Sequence, residues 1–352
     1  MQPNPYKQLA EKLDALPNGF PAAIDGSELR LLEKLFTPEE AALAAQLGTH
    51  FESAEQLATR LSADSGGLRQ QLKSLARRGL IEAGRSESGL GYRLLPFVVG
   101  IYEMQVNNMD AELARLFETY FAQAFGEVLR VQPQVHRVIP IGESIRNSME
   151  VHPFESASAL IDGAQSWGVL DCICRKQKAL IGQACGHPID VCMILDQRPA
   201  AFDRNASVRV LTHDEALVTL RRAADAGLVH SVSNNQQGIQ YICNCCTCSC
   251  GILRGMADLG IANVVARSAF VNQVDAVLCS ACGLCVETCP FDALSLDLTA
   301  AVNAVRCVGC GVCVLNCPED AMGLVRRPED EILPVPETLE DWGQKRSSVR
   351  GV

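Results

Sequence analysis

The chain lacks any apolar run approaching the roughly 18 residues that a membrane-spanning helix needs; its longest candidate is the short segment from Leu94 to Tyr102. No membrane span is expected. The opening residues, Met1 to Ala10, are polar and contain no apolar stretch of the secretory type, so an extracellular, disulfide-bonded protein is not expected either. Neither a G-x-G-x-x-G nor a G-x-x-x-x-G-K-[ST] run occurs, which argues against a self-contained enzyme driven by NAD(P)H or ATP. Positive charge is short as well. The 31 Lys and Arg against 41 Asp and Glu leave a formal net charge of -10, a balance that disfavours non-specific binding to nucleic acid and suits docking to a basic patch on a partner.

What the chain has is cysteine, 17 in 352 residues. Without a secretory leader, so many thiols point to metal rather than disulfides, and to the reducing cytoplasm. Eight of them form two copies of one pattern: Cys279-x-x-Cys282-x-x-Cys285-x-x-x-Cys289-Pro290 and Cys307-x-x-Cys310-x-x-Cys313-x-x-x-Cys317-Pro318. Thiolates at i, i+3 and i+6 let one short loop wrap three irons of a 4Fe-4S cube, and the fourth cysteine, followed by a chain-breaking proline, leaves the loop for the other cluster. One cubane is thereby assigned to Cys279, Cys282, Cys285 and Cys317, the other to Cys289, Cys307, Cys310 and Cys313. Tetrahedral zinc needs only paired C-x2-C knuckles and gives no reason for the doubling.

Two cysteine groups lie upstream. Cys172-Ile173-Cys174-Arg175-Lys176 is followed by Cys185, His187 and Cys192. Cys172, Cys174, Cys185 and Cys192 are expected to hold a third 4Fe-4S cluster, with four-thiolate zinc as the alternative; Arg175 and Lys176 would offset the negative charge of either. His187 reads as a hydrogen-bond donor beside that site. The second group is Cys243, Cys245, Cys246, Cys248 and Cys250. Alternation in an extended chain sends Cys243 and Cys245 one way and Cys246, Cys248 and Cys250 the other. A fourth iron-sulfur site is expected here, with its ligand subset open, or one that shares ligands with the Cys172 group, or a labile thiol cluster.

Ahead of the cysteines, residues 1–26 read as a proline-rich arm. Helices are expected from Ser27 as cap to before Pro38, from Thr37 onward, after Ser53, and from Ser65 to Arg78 with Gly79 ending the last. A hairpin then runs from Leu80 to Leu95 around a turn rich in Gly and Ser. This succession resembles a winged helix-turn-helix over residues 27–97, with basic Arg69, Lys73, Arg77 and Arg78 on its fourth helix. DNA is thus a conceivable partner but not the favoured one, because the acids of the same stretch balance its bases. Residues 98–130 read as a long helix that links the halves or pairs in a homodimer, with Met104, Leu113, Leu116, Phe117 and Phe121 facing inward.

The doubled block, with the apolar stretches Ala293 to Leu296 and Ala321 to Val325 in equivalent places, resembles the bacterial two-cluster ferredoxin module from Val271 to Arg327. Taken whole, the chain resembles multi-cluster 4Fe-4S binding proteins, whose implied activity is electron transfer. The expected fold class is α+β: a winged-helix-like domain, a central α/β cysteine-rich domain over 131–265, a pseudo-twofold ferredoxin-type domain over 266–328, and an irregular tail over 329–352. The expected function is an iron-sulfur electron-transfer protein, or such a subunit of an oxidoreductase, exchanging single electrons with a redox partner protein. The alternatives are a redox-responsive DNA-binding regulator and a terminal reductase with an open iron near Cys243 to Cys250.

Overall fold

A computed structural model describes every residue except 1–3, 147–150, 204 and 206. The chain forms two compact units, one of residues 1–131, 176–183 and 346–352, the other of residues 132–175 and 184–345. Helix and sheet are mixed in the α+β manner, and among the described residues no helix is long and apolar enough to cross a membrane.

In the first unit, helix α1 (Pro5–Asp14) starts where the Asn4 side chain accepts the backbone N–H groups of Tyr6 and Lys7, with Pro5 in the first turn. Leu9 and Leu13 of α1, followed by Leu16 and Phe20, are buried. The expected arm is therefore part of the core, because Pro5 and Pro17 bracket a helix rather than break one. Next come α2 (Ser27–Leu35) and α3 (Pro38–Ala45), the latter opened by a reciprocal capping box between Thr37 and Glu40. Ser27 is not the cap of α2; Gly26 takes that place, and Ser27 is buried. Strand β1 (Glu52–Ser53) leads into α4 (Ala54–Leu61), whose capping box joins Ser53 and Gln56. Helix α5 (Ser65–Arg77) buries Leu68, Leu72 and Leu75. Strands β2 (Glu82–Ser86) and β3 (Gly89–Arg93) form the hairpin, which β1 extends into an antiparallel sheet ordered β1-β3-β2.

Residues 98–130 are not one long helix. Val98, Val99 and Gly100 are non-helical, and regular helix resumes at Ala111–Tyr120, where Asp110 caps it. Leu113, Phe117 and Phe121 are buried as their spacing predicts, whereas Met104 is half exposed. The segment does more than link: Tyr102 stacks on Phe117 at a centroid distance of 3.9 Å, and Phe97 lies 4.5 Å from Phe20. The expected irregular tail also contains a helix, Leu339–Arg350, introduced by hydrogen bonds between Thr338 and Asp341. Arg346 is fully buried and donates to the carbonyls of Pro17, Val128 and Val131.

The second unit is built on a six-stranded sheet of β4 (His136–Val138), β5 (Ser166–Leu170), β6 (Cys192–Asp196), β7 (Arg209–Leu211), β8 (Val229–Ser233) and β9 (Tyr241–Cys245), ordered β4-β8-β9-β6-β5-β7. Every pairing among these strands is antiparallel, so the region is α+β rather than the expected α/β. The short β8–β9 connection explains part of this, since a parallel pair would need a long crossover. Helices Ala157–Asp162 and His213–Asp225 bury Ile161, Ala216 and Leu220 with Ile139, Val169, Leu195, Val232 and Ile242 of the sheet region. The C-terminal part contributes β10 (Phe270–Val274) paired with β13 (Met322–Arg326), β11 (Leu294–Leu296) paired with β12 (Ala300–Val302), and two short helices.

His136 on β4 is buried, and desolvation lowers its pKa from 6.5 to about 4. Its Nδ1 faces Ser231 Oγ at 3.2 Å, and its Nε2 is buried without a partner. The unfolded chain protonates this residue near pH 6.5 and the folded chain only near 4, so stability is full above that window and falls as pH drops through it. Lowering the pH from 7 to 5 is expected to cost about 2 kcal/mol through His136 alone. Denaturant titrations of wild type and His136→Gln at both pH values check this; equal pH dependence in the two proteins would refute it.

Candidate metal centres

The nine middle thiols fall into two groups. Six form a continuous chain of contacts: Cys192 with Cys172, Cys172 with Cys174, Cys174 with Cys250, Cys250 with Cys245, and Cys245 with Cys243. Strand register explains much of this. Cys192 opens β6 opposite Leu170, the last residue of β5, and Cys172 follows two residues later; Cys243 and Cys245 share one face of β9. Hydrogen bonds from Cys174 and Cys192 pull the Cys172 thiol well below its ordinary range against the opposing effect of burial, and the charge of Arg175 assists. The same contacts push the thiols of Cys174 and Cys192 up.

Arg175 is 4% exposed. Its Nη1 donates to the Asn244 carbonyl at 3.0 Å and to Cys246 Sγ at 3.7 Å. Its Nε and Nη2 are buried and have no partner among the described residues. Burial alone would lower its pKa, but its interactions with Cys172, Cys192 and Cys246 hold it above the usual value. A buried cation with two further donors, interacting with Cys172 and Cys192 of the six-thiol group and with Cys246, fits an anionic, sulfide-bearing group.

The other three middle thiols, Cys185, Cys246 and Cys248, gather with His187, and all four donor atoms lie within 4.8 Å of one another. The expected foursome of Cys172, Cys174, Cys185 and Cys192 is therefore divided: Cys185, on the loop before β6, meets the turn that follows β9. The expected alternation holds for Cys243 and Cys245, but Cys250 does not follow Cys246 and Cys248. The chain turns after β9, the Cys250 N–H reaching the Cys246 carbonyl at 3.1 Å, and this returns Cys250 to the six-thiol group.

The two C-terminal blocks are built alike. Asp275 Oδ1 accepts the N–H groups of Val277 and Leu278, and the Asp275 carbonyl accepts that of Cys279 at 3.1 Å. In the second block Asn303 does the same for Val305, Arg306 and Cys307. These side-chain turns fix the first cysteine of each block. Gly283 and Gly311 stand at φ 81° and 78°, a conformation that glycine adopts without steric cost. Each precedes a short helix, Leu284–Thr288 or Val312–Leu315, that buries Cys285 or Cys313.

The fourth cysteine then crosses over. One hollow is lined by Cys279, Cys282, Cys285 and Cys317, and a second by Cys289, Cys307, Cys310 and Cys313. N–H groups point at the sulfurs: Ala300 at Cys279 (3.5 Å), Ala293 at Cys289 (3.3 Å) and the Asn272 side chain at Cys313 (3.2 Å).

Residues 278–322 match the family model of a 4Fe-4S dicluster domain. The chain therefore contains such a domain, and 4Fe-4S clusters are its cofactor class. The match spans both C-terminal blocks and neither upstream group. No curated protein and no solved structure matches the chain.

Within the dicluster domain the two hollows differ in access. Cys282 is exposed, whereas Cys307, Cys310 and Cys313 are buried. Burial pushes the Cys310 thiol up to about 12 and that of Cys313 in the same direction. These groups are protonated at neutral pH until a cation displaces the protons. Asn272, a donor to sulfur from β10, carries no motif and was not legible in the sequence. Nor was Ser249, whose hydroxyl lies 3.4 Å from Cys185 Sγ and 3.9 Å from Cys248 Sγ.

Proposed function

We propose that this protein is a cytoplasmic iron-sulfur electron-transfer protein, or such a subunit of an oxidoreductase, which exchanges single electrons with a partner protein. Its dicluster domain holds one 4Fe-4S cluster on Cys279, Cys282, Cys285 and Cys317 and another on Cys289, Cys307, Cys310 and Cys313. The observation that carries this reading is the crossing: each hollow is lined by three cysteines of one block and the fourth of the other. Bound cubanes supply one-electron redox chemistry. The residues around them keep the sulfurs dry, direct N–H groups at them and leave the Cys282 side open, where a partner can approach. A third iron-sulfur centre lies in the six-thiol group, on a subset of Cys172, Cys174, Cys192, Cys243, Cys245 and Cys250, with Arg175 as its counter-charge.

The winged-helix-like region over 27–97 serves docking to protein rather than DNA. Supporting this, three of its arginines are engaged by acids of the same unit: Arg69 with Glu55, Arg78 with Glu40 and Arg93 with Glu82.

Anaerobic reconstitution followed by iron and sulfide analysis tests the cluster count, which is expected at about twelve irons per chain for three cubanes. Cys282→Ser with Cys310→Ser is expected to abolish the signals of the two dicluster centres and leave that of the six-thiol centre. About eight irons in wild type would remove the third centre, and a doubly substituted chain with full iron would overturn the ligand assignment.

A further inference from the structure

One group of donors is left unused by this function: Cys185, His187, Cys246 and Cys248. We propose that these four residues hold a single tetrahedral zinc ion, separate from every iron-sulfur centre. The geometry separates the two kinds of site. Two thiolates on one zinc ion, each about 2.3 Å from it, stand about 3.8 Å apart, the edge of the tetrahedron. Thiolates on different irons of a cubane radiate from separate corners and stand farther apart. Here all four donor atoms lie within 4.8 Å of one another, and Cys248 Sγ lies 3.7 Å from His187 Nδ1. The donors are thus already gathered at the spacing of a single ion.

The chain delivers them in two short knuckles. Cys185 and His187 flank Gly186 and precede Pro188, on the loop before β6. Cys246 and Cys248 follow directly on β9, a central strand of the antiparallel sheet. One knuckle is therefore anchored by β9, and the ion would tie the loop to it, which is the work of a closed structural site with no open position.

Charge and hydrogen bonding agree. Three thiolates and a neutral imidazole on a divalent ion carry a net charge of -1, and Arg175 donates to Cys246 Sγ at 3.7 Å. The Ser249 hydroxyl lies between Cys185 and Cys248, within 3.4 Å and 3.9 Å of their sulfurs. Such outer contacts orient metal-bound thiolates. His187 is accordingly a ligand through Nδ1, not the peripheral donor its place in the sequence suggests.

The full chain, reconstituted anaerobically with iron and sulfide and then loaded with zinc, is expected to retain about one zinc per chain after exhaustive desalting. X-ray absorption at the zinc edge should give sulfur neighbours at about 2.3 Å and a nitrogen at about 2.0 Å. Cys248→Ala, at an exposed position, is expected to lose that zinc while the iron content stays unchanged. His187→Ala should weaken retention, and His187→Cys should restore it with a shell of sulfur only, a rescue that a merely structural role for His187 would not produce. Cys172→Ser, in the six-thiol group, should lower iron and leave zinc in place. No retained zinc in wild type, zinc unaffected by both Cys248→Ala and His187→Ala, or iron lost together with zinc in Cys248→Ala would each overturn the proposal. Because iron and zinc are read separately, failure of this site is distinguishable from failure of the electron-transfer reading.

Discussion

Stripping iron and sulfide from the full chain is expected to unfold residues 270–326 while the antiparallel sheet of the same unit keeps its core. The reason lies in what fills the two interiors. Around the dicluster cysteines the buried side chains are Leu294, Ala300, Met322, Cys285 and Cys313, with Val274, Val286, Val302, Val314, Cys279, Cys289 and Cys317 packed against them. Five of these twelve side chains are cysteines proposed above as ligands. Without inorganic contents this core would surround open hollows lined by sulfur. Binding free energy at such a site is folding free energy, on the order of 10 kcal/mol for structural metal sites, and stripping removes it. A lobe of this size has roughly 3–5 kcal/mol of core stability to set against it. The sheet region, by contrast, has Ile139, Ile161, Met193, Leu195, Leu220, Val232 and Ile242 in one aliphatic cluster, which needs no metal to be apolar. Hydrogen exchange before and after anaerobic chelation distinguishes the two. Amides of β10 and β13 should lose protection by at least three orders of magnitude, roughly 4 kcal/mol, while those of β8 and the helix His213–Asp225 stay slow. Unchanged protection in β10 and β13 would show that the lobe folds without its clusters. Cys313→Ser is expected to act in the same direction, because its sulfur is a proposed ligand and is buried in the core, whereas exposed Cys282 contributes less to packing.

Much of this was legible because the decisive signals are local. The capping residues Thr37 and Ser53 have their partners Glu40 and Gln56 within four residues, and both appear as reciprocal caps. The two C-terminal blocks carry their turn residues, glycines and cysteines in one short stretch each, so the fourth cysteine's crossing could be inferred from spacing. What was not legible depends on distant partners. The terminal helix is held at Arg346 by carbonyls at Pro17, Val128 and Val131, more than two hundred positions away in the chain. Its polar sequence gave no reason to expect a buried face. The middle cysteines show the same limit. Four thiols in one stretch looked like one site, but their division follows from sheet order. Strand β9 lies between β8 and β6, with Cys192 at the start of β6. The turn after β9 then sends Cys250 to one group and Cys246 and Cys248 to the other. No periodicity within a single segment encodes which strand will be its neighbour.

That division places Arg175 where its loss should be felt at two centres together. Arg175 is 4% exposed; its guanidinium donates to Cys246 Sγ and interacts with Cys172 and Cys192. Methionine fills a similar volume without charge. With metal bound, Arg175→Met would leave buried anionic sulfurs without their counter-charge, and breaking a buried pair from one side costs about 3–5 kcal/mol. In the metal-free chain the anionic metal-sulfur groups are gone, and the arginine's own desolvation then weighs against folding. The same substitution should be far less damaging there, by about 2 kcal/mol or more. Arg175→Lys keeps the charge but not the planar fork, so it should recover only part of the loss: one ammonium cannot serve the Asn244 carbonyl and the sulfurs in the same geometry. Anaerobic urea titrations of loaded and metal-free protein, followed through the indole of Trp167 on β5, give the four stabilities needed for this comparison. An equal loss in both states would mean that Arg175 acts through its hydrogen bond to the Asn244 carbonyl alone. A loss confined to the loaded state makes it the electrostatic partner of the bound metals.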